Sequence, residues 1–149
     1  MLPKKRRVLF VDRSLGSYYV ADALRAQGYT VEVHDDHFAP TEKDTTWLRV
    51  AGQKKWIVLS KDPRIRKREI EKQQLRKARV HAFFLGRADL KGPEMAAIFV
   101  VAMPRIMQLI EGARGPIVAL VRRDGRLDAL DANLNIVVAP KKRKKRRPN

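Results

Sequence analysis

Three aspartates stand where the chain changes from one element to the next. Asp12 follows a short apolar run, Asp62 follows another such run by two residues, and Asp44 opens an apparent helix. Because the carboxyl ends of parallel strands meet at one edge of a sheet, we expect these side chains to lie close together. Gathered carboxylates are hard oxygen ligands that attract a divalent cation. The pattern therefore predicts a metal site built from these three acids.

Each acid also has an ordinary structural interpretation. Asp12 alone is as consistent with a helix cap or a salt bridge as with a ligand. Asp44 alone is better explained as the N-cap of a helix, a position that aspartate favours. The joint spacing with Asp62 is what favours a metal site over these separate roles.

The charge of the chain indicates the kind of target. Its 33 Lys and Arg residues outnumber its 16 Asp and Glu residues, so the formal net charge is +17. Residues 141–147 supply seven of the cations, yet the remainder still has 26 basic against 16 acidic residues. Such an excess attracts the phosphates of nucleic acid by counterion release. An anionic membrane surface is the competing partner.

A dense group of cations follows Asp62. Residues 64–79 hold eight Lys and Arg residues against Glu69 and Glu71. Charged helix faces are usually only solvated, but this density beside a candidate ligand favours a surface that follows phosphates. Arg13 and Lys61, each next to an acid, either contact the scissile phosphate or neutralise the carboxylates. The predicted nucleic-acid-binding residues are Arg13, Lys61, Arg64, Arg66, Arg68 and Lys72.

The elements that must position these residues follow from periodicity and turn residues. Apolar, β-branched runs predict strands at 7–11, 30–34, 56–60, 80–85 and 116–121. Helical spacing predicts helices at 17–27, 44–50, 65–78 and 93–110. Asp124-Gly125 predicts a hairpin turn into a last strand at 126–130. Alternating strands and helices predict one α/β domain with a mostly parallel sheet, over residues 1–138, and a basic, disordered tail at 139–149.

Composition also bounds the cellular setting. The chain has no cysteine, which excludes disulfides and thiolate metal sites and fits a cytoplasmic location. The apolar run behind the basic start is too short for a signal peptide. The most apolar stretch, 95–110, is interrupted by Pro104 and Arg105, so we expect a buried helix and no membrane span. Its methionines and Phe99 are expected in the core, with a homodimer contact as the alternative.

Two histidines raise a second metal hypothesis. His34 and His37 flank Asp35 and Asp36, a set that suggests zinc. The spacing of the two histidines suits a helix, however, and here it falls on a strand end and the following loop. We therefore expect a solvent-exposed loop pair and no zinc site.

Several short strings resemble one known family. They are Val11-Asp12-Arg13-Ser14-Leu15-Gly16, the helix start at Asp44, and Leu59-Ser60-Lys61-Asp62. In this order, and with Asp62 18 positions after Asp44, they resemble the compact PIN-like proteins, VapC-type toxins of bacterial toxin–antitoxin systems. The resemblance extends from about residue 8 to residue 130.

The resemblance implies a three-layer fold with about five parallel strands and a metal-dependent endoribonuclease. It implies one or two Mg²⁺ or Mn²⁺ ions held by Asp12, Asp44 and Asp62, a cognate antitoxin and RNA as the substrate. PIN domains usually have a further acid between the first two of these positions. The candidates here are Asp35, Asp36 and Glu42, of which Asp36 or Asp35 is preferred.

Two other functions remain open. The opening of the chain also resembles that of a phosphorelay receiver, in which Asp62 would accept a phosphoryl group. Receivers usually pair two acids after the first strand, whereas Arg13 follows Asp12 here. The other alternative is a nucleic-acid-binding module that keeps the fold and lacks catalysis.

Overall fold

The computed structural model describes residues 7–16, 18–86, 89–131 and 133–137. The strands are β1 (Val8–Val11), β2 (Thr30–Val33), β3 (Ile57–Ser60), β4 (Ala82–Leu85), β5 (Val118–Val121) and β6 (Leu127–Ala129). The helices are α1 (Tyr19–Ala26), α2 (Asp44–Lys54), α3 (Pro63–Lys67), α4 (Glu69–Ala78) and α5 (Gly92–Gly112). The predicted tail at 139–149 lies outside the described residues.

The strands form one sheet in the order β2-β1-β3-β4-β5-β6. The first five are parallel, and β6 pairs antiparallel with β5 through the predicted hairpin. Gly125 in that turn has a φ of +84°, which suits glycine best. The prediction of an α/β fold with five parallel strands and an added hairpin is confirmed. Because these strands are parallel, the residues that follow β1, β2 and β3 lie at the same edge of the sheet.

Helices cover both faces of the sheet and give three layers. Leu9, Val11, Leu59 and Phe83 on one face pack with α1 and α5. Phe10, Val58 and Phe84 on the other face, alternating along the same strands, pack with α2, α3 and α4. Because strand side chains alternate between faces, strands buried on both sides are expected to be apolar throughout. This holds for β1 and β4, whereas β3 ends in a buried serine, Ser60.

Helix α5 spans 21 residues and is long and apolar enough, by length and composition alone, to cross a membrane. In this fold it packs against α1 and the sheet. Phe99, Met103 and Ile106 on its inner side are fully buried, as the prediction of a core helix requires. Val101 and Leu109 on its outer side are exposed.

Three details of the predicted helices are wrong, and the first is the end of α2, which lies at Lys54 and not at residue 50. The helix expected over 65–78 is divided into α3 and α4, because Arg68 between them has extended backbone angles. Asp44 is the first residue of α2, and the cap residue is Lys43. The side chain of Asp44 therefore does not cap the helix and is directed to another partner.

Candidate active site

The three predicted acids line one pocket at the carboxyl edge of the sheet. This pocket has a volume of about 570 Å³, which includes its open mouth. Its lining comprises Asp12, Asp44, Asp62, Glu42, Arg13, Arg64, Ser14, His34 and Pro40. Three segments that are remote in sequence thus meet at one concave surface. They are the residues just after β1, the start of α2 and the β3–α3 connection.

Asp12 follows the last residue of β1 and is only 4% exposed. Its Oδ2 accepts hydrogen bonds from Ser14 Oγ and Ser60 Oγ, each at 2.8 Å. Burial raises the pKa of Asp12 above its usual value, although these two hydrogen bonds act in the opposite direction. The negative charge of Asp62 raises this pKa further. Asp12 is therefore a fixed, poorly solvated carboxylate that would gain from a nearby cation.

Asp44 is positioned by a tryptophan of its own helix. Trp47 is fully buried, and its Nε1 donates a hydrogen bond of 2.9 Å to Asp44 Oδ1. Burial raises the pKa of Asp44; the Trp47 hydrogen bond lowers it, and the charges of Asp62 and Asp12 raise it. The net effect is a raised pKa, to which burial contributes most and the charges of Asp62 and Asp12 contribute less.

Asp62 is the N-cap of the short helix α3. Its Oδ1 accepts a hydrogen bond of 2.9 Å from the backbone N–H of Arg64. The guanidinium of Arg64 binds both carboxylate oxygens, with Nε at 3.0 and 3.1 Å and Nη2 at 2.8 Å. Burial acts to raise the pKa of Asp62, but the hydrogen bonds and charge of Arg64 outweigh it, so the pKa lies below its usual value. This acid is ionised and neutralised by its own neighbour.

The acids considered as a fourth ligand lie in different places. Glu42 lines the same pocket as the three aspartates. The Asp35 carboxylate is held by Arg13 Nε and by His34 Nδ1, both at 2.9 Å, and lines a neighbouring pocket. Asp36 is exposed in the turn after β2 and lines neither pocket. Proximity thus favours Glu42 over the two preferred candidates.

The prediction of a solvent-exposed loop pair is wrong for His34, which is buried, and confirmed for His37, which is exposed. His34 is 3% exposed, and its ring packs near Phe10, Phe38 and Trp47. His37 Nε2 lies 2.8 Å from Glu32 Oε2. Because each ring has a different carboxylate partner, the pair does not converge on one ion.

The predicted nucleic-acid-binding residues divide into two groups. Arg13 and Arg64 line the pocket, and the backbone N–H of Lys61 donates to Ser14 Oγ at 2.9 Å beside it. The others lie farther along the chain on α3, α4 and their junction: Arg66, Arg68 and Lys72. Arg66 is partly buried, and its Nε has no hydrogen-bond partner among the described residues.

A divalent cation suits the donor chemistry of this pocket. The acids supply hard oxygen atoms, the ligands that Mg²⁺ and Mn²⁺ prefer. Within the described part of the chain, no three Asp, Glu or His side chains converge closely enough to form a complete metal cluster. Arg64 occupies that region, with Nη2 at 2.8 Å from Asp62 and 3.9 Å from Asp44. A positive group therefore already stands beside two of the acids.

Sequence reasoning missed the residues that hold the acids in place. Ser60 is completely buried at the end of an otherwise apolar strand, and such a polar residue must find a partner. Its hydroxyl contacts Asp12 and accepts a hydrogen bond of 3.0 Å from the backbone N–H of Asp62. Ser14 and Trp47 gave no comparable signal, because a surface loop and an apolar helix face explain them equally well.

Comparison with known proteins places these features in a family. A family model described as a PIN-like domain matches residues 8–87, more than half of the chain. A Mycobacterium tuberculosis protein named "putative ribonuclease VapC45" is 28% identical over 102 residues, which cover 66% of this chain and 74% of the relative. No solved structure gives a significant match.

Proposed function

This chain belongs to the PIN-like domain family, and from that premise we propose that it is a metal-dependent endoribonuclease and the toxin of a toxin–antitoxin pair. The observation that carries the proposal is the meeting of Asp12, Asp44 and Asp62 in one pocket. The name of the mycobacterial relative supports ribonuclease activity. The net charge of +17 supports a polyanionic substrate.

Asp12, Asp44 and Asp62 are the proposed catalytic residues and the ligands of Mg²⁺ or Mn²⁺. When bound, such a cation would lower the pKa of a water molecule and neutralise charge on the phosphoryl group. The protein's own contribution is to position the carboxylates: Ser14 and Ser60 fix Asp12, and Trp47 fixes Asp44.

The surrounding cations are proposed to hold the RNA backbone. Arg13 lines the pocket and is half exposed, so it can approach a phosphate there. Lys61 lies between Ser60 and Asp62, at the same edge of the sheet. Arg66, Arg68 and Lys72 extend the positive surface away from the pocket. Contacts of this kind add affinity without reading the sequence of the RNA.

An RNA cleavage assay tests the proposal. Cleavage is expected with Mn²⁺ or Mg²⁺ and not with EDTA. Asp12→Asn and Asp62→Asn should each lower the rate by at least about 100-fold, within the range for removing one charge-stabilising group. Asp22→Asn is a matched control, because Asp22 lies on α1 and lines none of the pocket. Unchanged cleavage in both pocket variants would exclude this site as the origin of the activity.

The fourth acid is tested by three parallel substitutions. We propose that Glu42 takes this role, since it shares the pocket with the three aspartates. Glu42→Gln should then lower the cleavage rate more than Asp36→Asn. Asp35→Asn is expected to act indirectly, because it frees Arg13 and His34 from their common partner. A larger loss of cleavage rate in Asp36→Asn than in Glu42→Gln would identify Asp36 as the fourth acid.

The role as a toxin is tested in cells. Expression of the wild-type chain should arrest growth, and Asp12→Asn or Asp62→Asn should relieve the arrest. We also propose a cognate antitoxin that binds at or near the pocket, and its co-expression should restore growth. If wild-type and variants grow equally well while cleavage is present in vitro, the protein is a nuclease with another biological role.

A nucleic-acid-binding module without catalysis is the second candidate. One observation favours it, namely that Arg64 already neutralises Asp62. This alternative predicts RNA binding that EDTA does not change and no cleavage with either metal. The cleavage assay and a binding titration, run with the same RNA, therefore separate the two functions.

A further inference from the structure

The guanidinium of Arg64 lies beside two of the proposed metal ligands, Asp62 and Asp44. Its guanidinium contacts both oxygens of Asp62 at 2.8 to 3.1 Å and lies 3.9 Å from the nearer oxygen of Asp44. Both carboxylates belong to the same pocket, which Arg64 itself lines. A guanidinium that donates two hydrogen bonds to one carboxylate forms one of the strong, charge-assisted pairs found in proteins. A divalent cation that used the same oxygens would have to displace this positive charge.

The two interactions of Arg64 are separable. Its backbone N–H caps α3 through Asp62 Oδ1, whereas its side chain forms the bidentate pair. The Arg64 side chain is 55% exposed, so it can rotate into solvent without opening a cavity in the protein interior. The helix start can therefore persist while the guanidinium leaves.

We propose that Arg64 is an internal counter-cation, which holds the cation position beside Asp62 and Asp44 and is displaced when a divalent metal ion binds. This inference rests on the metal-dependent function proposed above. After its displacement, the Arg64 side chain would lie at the mouth of the pocket. There it would pair with a phosphate of the incoming RNA in place of Asp62. Metal and RNA should then strengthen each other's binding, since the phosphate removes the competitor of the metal.

The competition is measurable with Mn²⁺ alone, by isothermal titration calorimetry of the full chain without RNA. Arg64→Ala should bind Mn²⁺ about tenfold more tightly than wild type, equivalent to about 1.4 kcal/mol. Arg64→Lys keeps the charge and loses the bidentate geometry, so an intermediate affinity is expected. A purely structural role for Arg64 predicts the opposite result, a weaker or unchanged affinity.

Lys67→Ala is the matched control. Lys67 lies on α3, is exposed and lines none of the pocket, so this variant removes one positive charge from the same helix. Its Mn²⁺ affinity should change by less than about threefold, the part that long-range charge contributes after screening by salt. Circular dichroism spectra of all three variants test whether they remain folded. If Arg64→Ala fails to fold, Arg64→Lys carries the comparison.

Three outcomes overturn the inference. These are equal or weaker Mn²⁺ binding by the folded Arg64 variants, equal gains in Arg64→Ala and Lys67→Ala, and no binding by wild type or any variant. The proposed function fails separately: tight Mn²⁺ binding that increases in Arg64→Ala, without RNA cleavage, would refute the nuclease and leave the displacement of Arg64 standing.

Discussion

Asp12 combines a structural penalty with a proposed functional role. It is almost completely buried, and burial disfavours its charged form, as the raised pKa shows. Two serine hydroxyls compensate only partly for the lost water. Residues that lower stability while serving chemistry are common at active sites, because a reactive group cannot be fully neutralised by its surroundings.

We therefore expect Asp12→Asn to be more stable than wild type and inactive as a nuclease. The amide removes the buried charge, and the two hydroxyls can reorient toward it. At pH 7 the free energy of unfolding should rise by on the order of 1 kcal/mol, or a few degrees in Tm. Urea titrations of both proteins measure the difference. A large loss of stability would show that the Asp12 charge is satisfied in the fold.

The pH dependence of that difference has a defined sign. The pKa of Asp12 is higher in the folded protein than in the unfolded chain. The buried charge therefore lowers the free energy of unfolding fully above the folded-state pKa. This loss of stability decreases as the pH falls toward the pKa of Asp12 in the unfolded chain. The stability gain of Asp12→Asn should consequently decrease when the urea titrations are repeated near pH 4. A gain that grows on acidification would contradict the direction of the shift.

At the scale of elements, the order and type of almost every strand and helix could be predicted from sequence. Strands that are apolar at nearly every position, the glycine at 28 and the turn at 124–125 are local signals that tertiary structure reinforces. The break at Arg68 could not be predicted, because neither proline nor glycine marks it. The site was only half predictable. Spacing suggested the three aspartates, but the approach of Glu42 and the pairing of Arg64 depend on loop conformation and side-chain geometry.

The contact between α2 and α4 gives a prediction at this scale. A Cβ on Gly52 would lie 2.6 Å from the backbone oxygen of Ala78, which cannot move without shifting α4. Gly52→Ala should therefore destabilise the protein by about 1–3 kcal/mol, as overpacking does. It should also lower the cleavage rate, because α2 carries Asp44. Thermal unfolding measures the first effect.

Gly112→Ala is the control for this substitution. Gly112 ends α5, and a Cβ there would contact nothing within 4 Å. Its stability should be unchanged or slightly higher, since alanine favours the helix by up to about 1 kcal/mol. Equal destabilisation by both substitutions would mean that the close approach of α2 and α4 is not the cause.

For the whole molecule, charge dominates the expected interaction with RNA. The net charge of +17 should make binding strongly dependent on salt. Removal of residues 138–149 takes away seven cations from positions 141–147. The truncated protein should bind RNA more weakly, with a shallower slope of log K against log salt, by about 0.7 for each lost phosphate contact. Its cleavage rate with saturating RNA should be unchanged, because none of the proposed catalytic residues is removed.

The position of α5 has a consequence for the boundaries of the family match. That match ends at residue 87, before α5 begins, yet α5 covers the face of the sheet that carries Val11, Leu59 and Phe83. A fragment ending at residue 91 would contain the residues that line the acidic pocket. The apolar side chains on this face of the sheet would, however, be exposed to water. Such a fragment should aggregate on expression, and supplying residues 92–137 as a separate chain should rescue its solubility. We therefore expect residues 7–91 not to remain folded and soluble without the segment that contains α5.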